Sequence, residues 1–207
     1  MRRCILVLGI GGSGTSSVAG ALHKAGCPMG HEAHLGQHPG GFALYEDREW
    51  YGVFQEQGIS PRLYDLILSH QRDPVWGWKN TLTIKAVPWV LDWLRKWGNE
   101  PRIVAVHRTL TASIRARRDG RCPPGRFYSQ AEAERWAIQA MRLYHEALDA
   151  VQRETVPGIP GCPVYHVGYE DLLADPAGEV ERLVAFAFEG VDVQPNLAAA
   201  IQHIRRD

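Results

Sequence analysis

Arg3-Cys4-Ile5-Leu6-Val7-Leu8-Gly9-Ile10-Gly11-Gly12-Ser13-Gly14-Thr15-Ser16 is the stretch that decides how this chain folds. After Arg3 its first residues are apolar, with β-branched Ile5 and Val7 among them, and they stop at a glycine, so they predict a buried strand. Four glycines within the six positions Gly9 to Gly14 predict a tight turn. From Thr15 to Ala25 the apolar residues Val18, Leu22 and Ala25 recur on one helical stripe, and Gly26 supplies the stop. A strand, a glycine turn and a helix in that order place the first-turn N–H groups of the helix around the turn. Those groups have no partners within the helix and carry a partial positive charge, which suits an anion.

Working outward, strands and helices alternate. Short strands are predicted at Val75 to Trp78, Arg102 to His107 and Val164 to Val167. Helices are predicted at Ala43 to Glu56, Ser60 to His70, Thr81 to Trp97 (interrupted before Pro88), Leu110 to Arg118, Pro176 to Phe188 and Leu197 to Ile204. Ser129 to Glu154 predicts a long amphipathic helix opened by a Ser129–Glu132 capping box, with Trp136, Met141, Leu143 and Leu148 as its core stripe. Gly30 to Gly41 reads as a loop, and Arg118 to Gly125 as a candidate mobile loop. The expectation is an α/β, three-layer, P-loop-like fold with a mostly parallel central sheet flanked by helices, forming one domain over residues 1–207. Ligands in such sheets sit beyond the carboxyl ends of the strands.

Composition narrows the function classes. The 207 residues are 45% hydrophobic and 22% charged, with lysine plus arginine equal to aspartate plus glutamate at 23 each. A chain without net charge is not built to hold nucleic acid, so any anion site must be local. Cys4, Cys27, Cys122 and Cys162 are far apart and form no CxxC pair, which predicts free thiols and a reducing, cytoplasmic setting. The apolar run Cys4 to Leu8 is too short to span a membrane or to serve as a signal peptide, and a soluble protein is expected.

Gly9-x-x-x-x-Gly14-Thr15-Ser16 has the spacing of a Walker A loop, but Thr15 stands where the lysine that bridges the β- and γ-phosphates belongs. That substitution weighs against a P-loop kinase. The same turn also serves simple strand–helix packing, so the turn alone does not decide the chemistry.

Four segments together resemble the sulfotransferase superfamily. Gly12-Ser13-Gly14-Thr15-Ser16 is similar to the loop that holds the 5′-phosphosulfate in those enzymes. Trp76-Gly77-Trp78-Lys79 resembles a second family segment. Arg102 to Arg108 resembles the strand ending in the arginine that holds the donor's 3′-phosphate, and Tyr169-Glu170-Asp171-Leu172-Leu173-Ala174-Asp175-Pro176 resembles a fourth segment. The resemblance implies 3′-phosphoadenosine 5′-phosphosulfate (PAPS) as sulfuryl donor, no metal, and an acceptor whose identity the sequence does not reveal. It implies that Gly11, Gly12, Ser13, Gly14, Thr15 and Ser16 hold the 5′ end and that Arg108 meets the 3′-phosphate; Ser113, on the same short helix as the family's serine position, and Arg115, in the basic cluster there, are further candidates for that phosphate. The chain departs from the family in three places: Gly12 replaces a basic residue, Lys79-Asn80-Thr81-Leu82 replaces the usual Lys-Asp-Pro-Arg, and Ala116 replaces a serine.

Sulfuryl transfer needs cations where charge develops on the leaving group and a base for the acceptor proton. Lys79, at a strand end, is the candidate cation, with a solvated surface lysine as the plain alternative. The resemblance points to Glu32, after the first helix, and to Glu46, in Leu44-Tyr45-Glu46-Asp47, as candidate bases. His31, His34 and His38 crowd the loop around Glu32, but their spacing, without a cysteine or carboxylate set, does not make a metal site. Arg115, Arg117, Arg118 and Arg121 form a basic cluster, most of it a solvated face. Three readings therefore stand: an active sulfotransferase, a catalytically impaired nucleotide-binding protein of the same fold, and a P-loop small-molecule kinase.

Overall fold

The computed structural model describes residues 2–30, 35–37, 43–47, 67–70, 72–79, 87–120, 127–153 and 161–204. Strand β1 (Arg2–Leu8) is followed by helix α1 (Thr15–Ala25), a hairpin of β2 (Leu35–Gln37) and β3 (Ala43–Asp47), and β4 (Val75–Lys79). Then come α2 (Val87–Lys96), β5 (Asn99–His107), α3 (Leu110–Arg118), α4 (Gln130–Gln152), β6 (Val164–Gly168), α5 (Tyr169–Ala174), α6 (Pro176–Phe188) and α7 (Leu197–Ile204). The main sheet has the order β4-β1-β5-β6, with every pairing parallel.

Alternation along the strands builds two cores. Cys4, Leu6 and Leu8 of β1, Trp76 and Trp78 of β4, and Ile103 and Ala105 of β5 face α2 and α4. Ile5 and Val7, Val75, Val104, Val106 and Val167 face the opposite way, against α1, α6 and α7. Both faces of the sheet are thus buried, which is why its strands read as continuous apolar runs. The result is the expected three-layer α/β architecture.

At the amino end of the sheet, buried charge is paired. Arg3 and Arg102, 6% and 8% exposed, both bond Glu100 (2.8 and 3.1 Å), and Arg102 also reaches Glu189 at 2.8 Å. Arg102 donates further to the Phe186 carbonyl at 2.7 Å, so the cluster ties the end of α6 to β1 and β5. Such burial is tolerated only with partners of this kind.

Two expectations are corrected. Gly30 to Gly41 is not all loop, because Leu35–Gln37 forms β2. Ala43–Asp47 is strand rather than the start of a helix, because it pairs antiparallel with β2 (Leu35 with Asp47, Gln37 with Ala43). The partner strand satisfies the backbone there, and tertiary pairing overrides a short helical pattern. Residues 48–66, which hold the rest of the expected helix Ala43 to Glu56 and the start of that at Ser60 to His70, lie outside the described residues, as do 80–86 at the start of the expected helix Thr81 to Trp97 and 121–126 of the predicted mobile loop. One element, α5, was not expected as a helix; its first residue follows β6 directly.

Candidate functional site

Parallel register collects the carboxyl ends of three strands. Val7 of β1 pairs with Lys79 of β4, and Leu8 of β1 pairs with Ala105, two residues before the end of β5. The glycine turn therefore emerges between Lys79 on one side and Arg108 on the other. Within the turn the Ser13 N–H bonds the Ile10 carbonyl at 3.0 Å, and the first helical bond of α1 runs from the Val18 N–H to the Gly14 carbonyl at 3.2 Å. The amides of Thr15, Ser16 and Ser17 thus lack helical acceptors, and Gly14 at the N-cap provides no side-chain cap. Of the amides expected to face an anion, that of Ser13 is already engaged inside the turn.

Gly14 is required twice over. Its φ of +90° is left-handed, and a Cβ there would clash with the Tyr169 ring, 2.0 Å from its Cδ2. Tyr169, the first residue of α5, consequently forms one wall of the turn. Its ring also carries the Arg108 guanidinium, 5.0 Å from the ring centroid.

Lys79 is 4% exposed, and its Nζ donates to Ser16 Oγ at 3.1 Å. The plain alternative, a solvated surface lysine, is thereby excluded. Arg108 Nη1 donates to the Gly12 carbonyl at 2.7 Å, and its Nε is buried without a hydrogen-bond partner. The next residue, Thr109, caps α3 by accepting from the Ala112 N–H at 3.4 Å. Thr109 also donates from its N–H and Oγ1 to Glu170 Oε1, both at 3.3 Å. Glu170 therefore anchors the segment that presents Arg108, a scaffolding part.

The remaining expected residues distribute as follows. Ser13 is fully buried, with its Oγ unpartnered. Ser113 is likewise buried with an unpartnered Oγ, whereas Arg115 and Arg118 are exposed. Arg117 is not part of a solvated face: it is 6% exposed, with its guanidinium carbon 3.2 Å from the Trp136 ring centroid and 4.6 Å from that of Tyr128. Trp136 thus does more than pack. Glu46 lies in β3, whose backbone runs close to α1 and β4. Glu32, His31, His34, His38 and Arg121 lie outside the described residues.

Sheet register also assembles a group that sequence reading does not collect. His107 Nε2 and His166 Nδ1 are 2.7 Å apart, and the His145 ring of α4 stacks on His107 at 6.4 Å. Burial, then the neighbouring His166 and His145, hold the His107 imidazole below its ordinary value. The three come from β5, β6 and α4: the pairing of Ala105 with His166 sets β6 beside β5, and the packing of α4 on the sheet brings His145 to them. Tyr144 also touches His107, at 5.5 Å between ring centroids, so this group lies on the α4 face, opposite α1.

Solved structures supply the comparison. A sulfotransferase from Alicyclobacillus acidocaldarius superimposes with a TM-score of 0.54 at 17% identity, over 96% of this chain and 85% of that one. A sulfotransferase from Mycobacterium tuberculosis H37Rv superimposes with a TM-score of 0.58 at 14% identity, over 99% of this chain and 71% of that one. No protein-family model and no curated protein matches the sequence. With identities this low the likeness is one of fold. The chain has the sulfotransferase fold, and in it an uncapped glycine turn lies between two strand-end cations.

Proposed function

We propose that this chain binds PAPS at the turn and passes its sulfuryl group to a hydroxyl or amine acceptor. The observation that carries the reading is the contact of Lys79 Nζ with Ser16 Oγ at an uncapped helix start. It sets a buried cation beside unpaired amides, where an anion is best held.

The donor supplies an activated sulfuryl group on a phosphosulfate anhydride. The chain's own residues do the rest. Amides at the start of α1, with the hydroxyls of Thr15 and Ser16, hold the 5′-phosphate. Lys79 faces the transferring oxygens and the charge that grows on the leaving phosphate. Arg108, Ser113 and Arg115 meet the remaining phosphate charge. Glu46 or Glu32 takes the acceptor proton.

Thermal melting tests the donor class. Adenosine 3′,5′-bisphosphate at a hundred times its dissociation constant adds about 2.7 kcal/mol of stability. A larger shift with Mg-ATP than with the bisphosphate supports the kinase reading instead, and no shift at millimolar nucleotide refutes donor binding. The side-chain-free Gly12 favours one second reading, a nucleotide-binding protein with impaired turnover, which predicts a melting shift without sulfuryl transfer.

A further inference from the structure

The ends of β5 and β6 are joined by a contact that the sulfuryl chemistry does not use. His107 closes β5, and His166 lies on the same face of β6, two residues before Gly168, which pairs with His107. Gly168 has no side chain to fill the place opposite His107, so the imidazole reaches diagonally to His166. His107 Nε2 and His166 Nδ1 are 2.7 Å apart, while the ring centroids are 5.0 Å apart and the planes differ by 24°. The rings therefore meet nitrogen to nitrogen and not face to face. Two metal–nitrogen bonds of about 2.0 Å do not fit in line between them, so a proton is what the two nitrogens share.

Neighbours fix its direction. Gln152 Nε2, an amide nitrogen that only donates, lies 3.4 Å from His166 Nε2. His166 Nε2 is then the accepting nitrogen of its ring, Nδ1 carries the hydrogen, and His107 Nε2 accepts it. A first added proton has a place on His166 Nε2 once the Gln152 amide turns, and the contact survives it. A second must take the lone pair of His107 Nε2, which leaves two N–H groups facing each other. The surroundings do not favour a charged His107. It faces His166 from β6 and, from α4, His145 and the phenol of Tyr144, whose hydroxyl donates to the Val106 carbonyl. On its own strand the next charge, Arg108, bonds the Gly12 carbonyl. The acidic residues next along α4, Glu146 and Asp149, bond Arg142 and Arg153. Among the described residues no carboxylate bonds either imidazole of the pair. Burial, then the neighbouring imidazoles, accordingly hold His107 below its ordinary value.

This contact borders the glycine turn. One residue beyond His107, the Arg108 guanidinium lies on the Tyr169 ring, and that ring packs against Gly14. One residue further, Thr109 donates to Glu170. The Tyr169 wall of the turn is thus held between two links, and the imidazole pair is the one that titrates near neutral pH. We infer that His107 and His166 form a proton-sharing clasp that opens when His107 Nε2 is protonated, loosening β6 and the Tyr169 wall and weakening the glycine turn as an anion site in acid. The folded chain takes this proton less readily than the unfolded chain. The clasp is therefore fully formed above the ordinary imidazole value of about 6.5 and is lost as pH falls from there through the lower folded value. The effect on binding rests on the donor reading above; the clasp itself does not.

Two variants test it. His166→Thr removes the partner, and His107→Gln supplies an accepting Oε1 that does not titrate. Imidazole and tyrosine ring resonances are followed by NMR from about pH 8 to about pH 5. In wild type, His107 should take its proton below the ordinary value, with the Tyr169 ring signals moving in step. In His166→Thr the His107 titration should return toward the ordinary value. Calorimetry then measures adenosine 3′,5′-bisphosphate affinity at the two ends of that range. The ligand's own phosphates protonate at about pH 6, so the variants are compared with each other. Wild type should lose about two- to tenfold more affinity in acid than His107→Gln, the worth of one hydrogen bond. Identical His107 titrations in wild type and His166→Thr overturn the clasp. A coupled titration that leaves Tyr169 unmoved, or equal acid losses in wild type and His107→Gln, disconnects the pair from the turn and overturns the inference as well. If folded wild type binds no bisphosphate at neutral pH, the donor reading fails, and the imidazole and Tyr169 signals still decide the clasp.

Discussion

Lys79→Met is the sharpest test of the catalytic assignment. The lysine is 4% exposed, and its Nζ lies 3.1 Å from Ser16 Oγ at the mouth of the turn. Methionine fills nearly the same volume as the buried lysine stem, so stability should change little. What disappears is one charged donor aimed at the site. Removing a single pre-positioned donor typically slows reaction ~100- to 1000-fold, about 2.7–4 kcal/mol. The assay is release of adenosine 3′,5′-bisphosphate from PAPS, with transfer to water as readout when no acceptor is supplied. Lys79→Met should retain bisphosphate binding, because the amides at the start of α1 remain, while turnover falls by the factor above. Gly12→Arg provides the opposite arm. It should raise turnover by adding a cation at the turn, and it should lower the melting temperature, because the φ of +82° strains any L residue. A Lys79→Met protein that is folded and turns over at the wild-type rate refutes the role of Lys79 and leaves the fold and the donor site untouched.

Gly14→Ala should destabilise by about 2–5 kcal/mol, the sum of left-handed strain and overpacking; chemical denaturation measures it, and the cost should shrink in a Tyr169→Leu background, where the ring that the Cβ would strike is gone. Glu100 governs acid sensitivity. Burial by itself raises its carboxyl, but hydrogen bonds and charge from Arg3 and Arg102 outweigh that and leave it below the ordinary value. A depressed carboxylate contributes stability that is complete above its unfolded value and is lost as pH falls through the folded one. Glu100→Gln should therefore lower the urea midpoint at neutral pH and flatten its decline in acid, and a variant with the same acid limb as wild type would contradict the assignment.

Much of the architecture follows from the chain alone, because its signals are local. Gly26 ends α1 in a left-handed conformation, Ser129 and Glu132 form the capping box of α4, and Asp175 caps α6 ahead of Pro176. A few side chains and one or two dihedral angles set such boundaries, with no contribution from distant residues. The apolar runs of β1 and β5 announce strands buried on both faces for the same reason. Thr15–Ala25, Leu110–Arg118, Pro176–Phe188 and Leu197–Ile204 accordingly form helices over the residues their patterns mark. The glycine turn and the strand-end positions of Lys79 and Arg108 are legible too.

Distance along the chain hides the rest. Ala43–Asp47 becomes strand only because β2 lies beside it. Arg117 looks like one charge in a basic run until α3 packs on α4 and puts the guanidinium over Trp136. Tyr169 reads only as the first residue of an eight-residue family-like segment, yet it is the surface on which both Gly14 and Arg108 rest. Which cation meets which atom of the turn is a matter of strand order. With β4 and β5 on either side of β1, Lys79 reaches Ser16 and Arg108 reaches Gly12. Sequence determined the elements and the residue types at their ends, because backbone preference and hydrophobic period act over a few residues. Tertiary structure alone decided their partners, because a parallel sheet joins strands separated by dozens of residues, and only its register sets distances of about 3 Å between them.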